Sequence, residues 1–230
     1  MMRFKIRQNP AAQRAFLDQA RSYLQRPKVG LHVSDLVLPR KAFCHRKYDI
    51  GISDDEVGYF LGGRGHHDII EFLATLPEYR EVKVEMEGIK GTIDMYRDVP
   101  IEIKTTRSPE VKAPYKLAYE HPEYFRQLGY YCTMVSKSKG QLWLFYLGAR
   151  EWDEVLRRSR TVPRILIYDV EFEDLEEIRR EMLERKNLLL RALETGDPSG
   201  LPLCPSWMCR RCKYRSFCFP PKEVEVPGRL

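Results

Sequence analysis

The chain has no apolar run long enough to cross a bilayer. Its longest, such as LWLFYLGA, falls far short of the roughly 20 residues that a spanning helix needs, so a membrane protein is excluded. The opening residues, MMRFKIRQNPAAQRAFLDQA, hold neither an apolar core nor a small-residue cleavage site, and a cytoplasmic protein is expected. No internal repeat and no low-complexity tract occurs.

What is present is a globular composition. Apolar residues make up 43% and charged residues 31%, which is ordinary for a soluble fold. A length of 230 residues suits one elaborated domain better than two equal ones. The net charge of +6 is a mild basic excess, by itself weak evidence for nucleic acid.

Periodicity orders the chain. Residues 10–26 read as a helix, and QRPKVG breaks it before LHVSDLVL and the basic stretch PRKAFCHRKYDIG. A second helical stretch, about 55–75, carries GGRGHHDIIEFLA. In REVKVEM the period changes to two, with Val82, Val84 and Met86 on one face and Glu81, Lys83 and Glu85 on the other. IKGTIDMY and VPIEIKTT read as the next strands, with a turn marked by Asp98 and Pro100. HPEYFRQLGYYCTMVSK is a helix started beyond Pro122, QLWLFYL and RILIYDVEF are strands, and 173–195 is an amphipathic helix stopped by Gly196. This order predicts an α/β fold with a mixed central sheet flanked by helices.

The strand pair carries the chemistry. Glu102 and Lys104 are two apart and share a strand face, while Ile101 and Ile103 point the other way. Asp94 on the preceding strand comes close to Glu102 if the two strands pair. Two adjacent carboxylates repel unless a cation lies between them, and a divalent ion with oxygen ligands meets that need. Such an ion and a nearby lysine suit phosphodiester hydrolysis. The bland alternative is a solvated sheet face with cross-strand ion pairs. Gln127 and Tyr131, four apart on a helix, could order the lysine or reach a nucleic-acid backbone. A glycine-led turn in GGRGHH presents His66 or His67 as a third metal ligand.

Six cysteines in a reducing compartment point to metal rather than disulfides, above all because Cys204, Cys209, Cys212 and Cys218 fall within fifteen residues. Zinc and an iron-sulfur cluster both accept four thiolates. The trio Cys209-x2-Cys212-x5-Cys218 could be completed by Cys204 or by distant Cys44, whereas Cys132 reads as core. Between these cysteines lie Arg210, Arg211, Lys213, Tyr214, Arg215 and Phe217, a basic and aromatic mixture that suits single-stranded nucleic acid.

A histidine after a leading glycine, then Asp, E-x-K, Q-x3-Y and a C-terminal cysteine trio resemble the RecB-like nucleases of the PD-(D/E)xK superfamily. Within it the likeness is to the CRISPR-associated Cas-four family and its viral and archaeal relatives, from VSDLVLPRKAF to Cys218. The resemblance implies a restriction-endonuclease-like core and a metal-dependent DNA nuclease. It implies Mg or Mn held by His67, Asp94, Glu102 and the Ile103 carbonyl, with Lys104 at the attacking water and Gln127 with Tyr131 as accessory pair. Gly63-x3-His67 fits the family's G-x3-H and favours His67 over His66. It implies an iron-sulfur cluster, 4Fe-4S before zinc, on Cys44, Cys209, Cys212 and Cys218. In the family the first cysteine sits directly before the Pro-Arg pair, where this chain has leucine, so Cys204 competes with Cys44. The implied partners are DNA with single-stranded character and the CRISPR integrase. Repair, recombination and viral replication use the same chemistry, and a homo-oligomer is compatible with it. The expected organisation is a helical segment over 1–28, the nuclease core over 29–200 and a cysteine-rich lobe over 201–230. A different class, a non-catalytic metal-cluster module that binds DNA, would leave the acidic hairpin merely structural.

Overall fold

The computed structural model describes residues 9–24, 29–48, 50–74, 77–106, 114–146, 165–210 and 212–219. Arg211 and the ends of the expected 1–28 and 201–230 segments, at 1–8, 25–28 and 220–230, lie outside the described residues. Helix α1 spans Pro10–Leu24. LHVSDLVLPRKAFC, which shows no clear period, folds as a short strand β1 (Leu31–His32) and two short helices, α2 (Val33–Val37) and α3 (Pro39–Lys47). Pro39 sits in the first turn of α3, where a missing N–H costs nothing. Phe43 and Cys44 point from α3 into the core.

Helix α4 runs unbroken over Asp54–Ala74. Its start is a capping box, in which Ser53 Oγ accepts the Glu56 N–H at 3.2 Å and Glu56 accepts the Ser53 N–H at 2.9 Å. The glycine-led turn expected in GGRGHH is therefore absent, and His66 and His67 lie inside a continuous helix. Packing overrides the low helix propensity of the glycines. Arg21 of α1 anchors this helix by pairing with Asp54 and donating to the Ile52 carbonyl at 3.1 Å.

Strands β2 (Arg80–Met86), β3 (Ile89–Tyr96), β4 (Pro100–Thr106), β5 (Lys139–Tyr146) and β6 (Ile165–Glu171) complete one mixed sheet, with β2 alternating between half-buried and exposed positions as its sequence predicts. β3 pairs antiparallel with β2, β4 runs parallel to β5, and β5 is antiparallel to β6. The crossover from β4 to β5 holds α5 (Pro114–Glu120) and α6 (Pro122–Met134). Helix α7 (Leu175–Thr195) packs behind α6; Asp174 caps it by accepting the Glu177 N–H at 2.9 Å, and Gly196 ends it at φ +77°. The segment that follows holds two single-turn helices, α8 (Ser206–Cys209) and α9 (Arg215–Cys218).

Ile89, Ile93, Tyr130, Tyr131, Phe43, Met182 and Leu189 form one apolar cluster that also takes in Leu201 and Tyr214 of the cysteine-rich segment. Arg40 of α3 clasps that segment, donating to the carbonyls of Pro198 at 2.6 Å and Leu201 at 2.9 Å. On the other face Met95, Ile101 and Ile103 pack with Ile70 of α4. No helix among the described residues is long and apolar enough to cross a membrane.

Gly91 sets how closely α6 and α2 approach β3. A Cβ there would stand 2.8 Å from the Tyr131 ring, 3.0 Å from Val84 and 3.2 Å from Val33. Replacing Gly91 by Val is expected to destabilise the protein by about 1–3 kcal/mol through overpacking, read as a lower urea midpoint. An unchanged midpoint would mean that this contact is not close.

Candidate active site

Strands β3 and β4 pair only at Met95 with Ile101 and Tyr96 with Pro100. Beyond that point β4 leaves β3 and follows β5, Ile101–Thr106 running beside 141–146. In the gap the Asp94 carboxylate accepts the Ile103 N–H at 2.7 Å, so a side chain replaces the strand partner that the backbone would otherwise want.

Around this split the expected groups converge. His67 places Nε2 3.2 Å from Asp94 Oδ2 and 3.2 Å from the Ile103 carbonyl oxygen. His66 also lines the cleft, with its Nδ1 2.6 Å from the Gly62 carbonyl. Glu102, only 1% exposed, is bound by Lys104 Nζ at 2.5 Å. Lys104 donates also to Gln127 Oε1 at 2.9 Å, and Gln127 Nε2 reaches the Tyr131 hydroxyl at 3.4 Å. Gln127 thus contacts the lysine and also lines the cleft. Tyr131 is buried and cannot meet a nucleic-acid backbone.

The charges do not balance. Burial first, and Asp94 second, push Glu102 up to about 7, although Lys104 and His67 pull it down. Burial alone would lower Lys104, but Glu102, Asp94 and Glu123 together outweigh it and raise the lysine. Burial is the larger cause for Glu102, and the presence of two carboxylates beside one ammonium adds to its shift while raising the lysine. Glu102 Oε2 is buried with no hydrogen-bond partner among the described residues. A cation with oxygen and nitrogen ligands fits this donor set. As they stand, His67 leans on Asp94 and Glu102 on Lys104, and no group of three His, Cys, Asp or Glu side chains among the described residues is drawn together as a ligand set. Binding a cation requires these side chains to exchange partners. His67, Asp94, Glu102, Lys104 and Gln127 line a cleft of about 740 Å³ together with Tyr23, Phe60, Gly62 and Gly63.

The second cluster is sulfur. Cys44, Cys204, Cys209, Cys212 and Cys218 line one small cavity with Arg40 and Lys41. Cys44 Sγ lies 4.0 Å from Cys218 Sγ. Burial, with Cys218 and Cys212, pushes Cys44 up to about 12, and burial with Cys209 raises Cys204 to about 11. Both rivals for the fourth position therefore stand beside the trio. Cys132 is core as expected, raised to about 12 by burial. The basic and aromatic residues between the cysteines do not all face out. Tyr214 is buried, Lys213 donates to the Ile50 carbonyl at 3.1 Å and the Gly51 carbonyl at 3.2 Å, and Phe217 stacks on Tyr48 at 3.8 Å.

A family model described as the PD-(D/E)XK nuclease superfamily matches residues 64–219, a span that holds His67, Asp94, Glu102, Lys104 and the cysteine trio. The chain belongs to the PD-(D/E)XK nuclease superfamily. Nucleases of this superfamily use divalent metals such as Mg or Mn. Among solved structures, that of SSO0001 aligns over 92% of this chain and 96% of its own, at 21% identity and TM-score 0.56. This likeness extends the shared fold to nearly the whole chain. A phage-related exonuclease from Haemophilus somnus 129PT aligns over 71% of this chain and 81% of its own, with 13% identity and TM-score 0.46. An alkaline exonuclease from Laribacter hongkongensis does so over 72% and 90%, with 16% identity and TM-score 0.41. No curated protein sequence matches the chain.

Several residues near this candidate site carry no spacing signal. His121 Nδ1 lies 3.2 Å from buried Glu123, its ring stacks on Tyr124 at 4.7 Å, and Trp207 meets it edge-on at 5.6 Å. Lys104 Nζ sits 5.6 Å over the Tyr124 ring, so α6 supports the lysine from below. At the rim, Glu81 takes a left-handed backbone at φ +47° and meets Arg64 at 2.6 Å. His-Pro-Glu at the start of α6 is the only hint of the first group in the sequence.

The raised Glu102 has a consequence for stability. Below about pH 4.5 it is protonated folded and unfolded alike. Between there and about 7 the unfolded chain ionises first, so stability falls as pH rises, and above about 7 the full cost of about 3 kcal/mol is present. In metal-free protein Glu102→Gln is expected to raise the melting temperature at pH 8 and to change it little at pH 4.5. A variant less stable than wild type at pH 8 would contradict this charge balance.

Proposed function

We propose that the protein is a divalent-metal-dependent deoxyribonuclease, a phosphodiester hydrolase that acts in exonuclease fashion on single-stranded DNA or frayed ends. One observation carries the reading: the buried, under-compensated Glu102 carboxylate shares a cleft with Asp94, His67 and an ordered lysine. In this reading His67, Asp94, Glu102 and the Ile103 carbonyl hold Mg or Mn. When bound, the cation polarises the phosphate and acidifies the attacking water. Lys104 orients that water or offsets phosphate charge. Gln127 fixes Lys104 Nζ together with Glu102, and Tyr131 holds the amide of Gln127 in the acceptor orientation that the lysine requires.

Within the same proposal residues 1–28 are a helical segment, 29–200 the nuclease core and 201–230 a cysteine-rich lobe. That lobe holds an iron-sulfur cluster of 4Fe-4S type, zinc being the alternative. Its ligands are Cys209, Cys212, Cys218 and either Cys44 or Cys204. Thiols that burial keeps protonated need a metal to ionise them. The Cas-four resemblance supports DNA trimming for CRISPR spacer acquisition beside the integrase, in the cytoplasm. Repair, recombination or viral replication would draw on the same chemistry.

Glu102→Ala is expected to lower cleavage of end-labelled single strands with Mn by at least about a thousandfold while DNA binding persists. Cleavage retained in the variant would place the activity elsewhere, and a wild type that binds these strands without cutting them would favour the non-catalytic DNA-binding module. For the lobe, anaerobically purified protein is expected to be brown and to contain iron, with colour lost in Cys212→Ser. A colourless, iron-free, zinc-replete sample would overturn the cluster and leave the carboxylate site standing.

A further inference from the structure

We propose that the cysteine-rich segment positions Lys104 through a continuous stack of rings, Trp207 on His121 on Tyr124, and so takes part in catalysis besides its own thiol chemistry. The inference rests on the nuclease reading above, in which Lys104 serves the attacking water. Trp207 lies in α8, a single turn that ends at Cys209. Its ring meets that of His121 edge-on, at 5.6 Å between centroids and 69° between planes. His121 lies flat on Tyr124, at 4.7 Å and 3°. Both spacings fall in the range of about 4.5–7 Å where rings attract one another. Lys104 Nζ stands 5.6 Å over the Tyr124 ring, within the roughly 6 Å at which a ring face attracts a cation.

The middle of the stack is held by the start of α6. The His121 N–H donates to the Leu117 carbonyl at 2.8 Å, the Tyr124 N–H donates to the His121 carbonyl at 3.1 Å, and Pro122 opens the helix between them. Buried Glu123 lies 3.2 Å from His121 Nδ1, which sets the plane of the imidazole. Rings fixed in this way pass on a displacement of Trp207 rather than absorb it. α8 has less support of its own, because a one-turn helix is too short to be stable alone. Cys204 stands just before it and Cys209 closes it. Whatever seats Cys209 therefore also seats Trp207.

Lys104 depends most on the ring when the site is in use. Glu102 and Gln127 hold its Nζ at 2.5 Å and 2.9 Å. Glu102 is also a proposed metal ligand, and its turn toward a cation removes the shorter of these two contacts. Gln127 and the face of Tyr124 then keep the ammonium in place. His121, Tyr124 and Trp207 are in this sense positioning residues, since their effect on the reaction runs through the lysine.

The test uses the full chain, 13C-labelled at lysine, first by NMR without added Mn. The Lys104 ε-methylene signal, assigned by its loss in Lys104→Arg, is expected to stand apart from the other lysines because of the Tyr124 ring current. Tyr124→Leu should return it to their common position, Trp207→Ala should move it part of the way, and Trp207→Phe should restore it. With Mn and end-labelled single strands, Tyr124→Leu is expected to lower kcat about tenfold and Trp207→Ala about threefold at unchanged KM, with Trp207→Phe again restoring the rate. A merely structural Trp207 would change the amount of folded protein and leave the Lys104 signal of the folded fraction unmoved. A wild-type Lys104 signal that coincides with the other lysines, or one that stays in place in Trp207→Ala, overturns the coupling even if a variant folds poorly. If wild type cleaves DNA and Trp207→Ala cleaves it with the same kcat, only the coupling fails. If the signal responds as expected and wild type cuts none of these strands, the coupling stands and the nuclease reading fails.

Discussion

Two carboxylates and one ammonium meet where β3 and β4 stop pairing, and most of the site follows from that split. Asp94 occupies the gap by accepting the Ile103 N–H, which turns the Ile103 carbonyl and the neighbouring Glu102 and Lys104 toward one locus. Had the two strands stayed paired, Asp94 would need no backbone partner and the cleft would have no floor. The parallel run of β4 beside β5 supports the divergence, because Ile101–Thr106 stay paired on the β5 side while the Asp94 carboxylate takes the Ile103 N–H on the side that β3 leaves.

The helices then supply what the sheet cannot. α4 delivers His67 from one side, and α6 delivers Gln127 and Tyr131 from the other. The close approach at Gly91 lets the Tyr131 ring sit against β3, so the lysine is braced by a side chain that is itself core. The site is thereby over-determined except in charge. Burying a carboxylate beside a second one lowers stability in the metal-free protein even with Lys104 bound to it, a cost that functional sites commonly carry.

Much of this was legible in the sequence, because it depends on local period. The strand alternation in REVKVEM and the pairing of Glu102 with Lys104 on one face follow from a period of two. Gln127 and Tyr131 follow from a spacing of four. The capped helix ending at Gly196 follows from its stop signal. What depends on distant packing was not legible. GGRGHH reads as a turn because glycine is a poor helix former, but Ser53 with Glu56 starts a helix that contacts with α1 and β4 sustain. The α2–α3 pair is short and mixed in character, and it is held by the Arg40 clasp and the Phe43 contact rather than by propensity. Lys213 and Tyr214 look like a binding surface beside their basic neighbours. They serve instead to seat the cysteine-rich segment, Lys213 on the 50–51 carbonyls and Tyr214 in the core.

The most direct test of the uncompensated carboxylate is the number of protons released when Mn2+ binds, measured by calorimetry of metal-free protein in buffers of differing ionisation enthalpy. With Glu102 raised to about 7, release at pH 6 should exceed that at pH 8.5 by about one proton per ion, and Glu102→Gln should remove most of that difference. Mn2+ that binds with no difference between the two pH values, or that does not bind at all, would contradict the account.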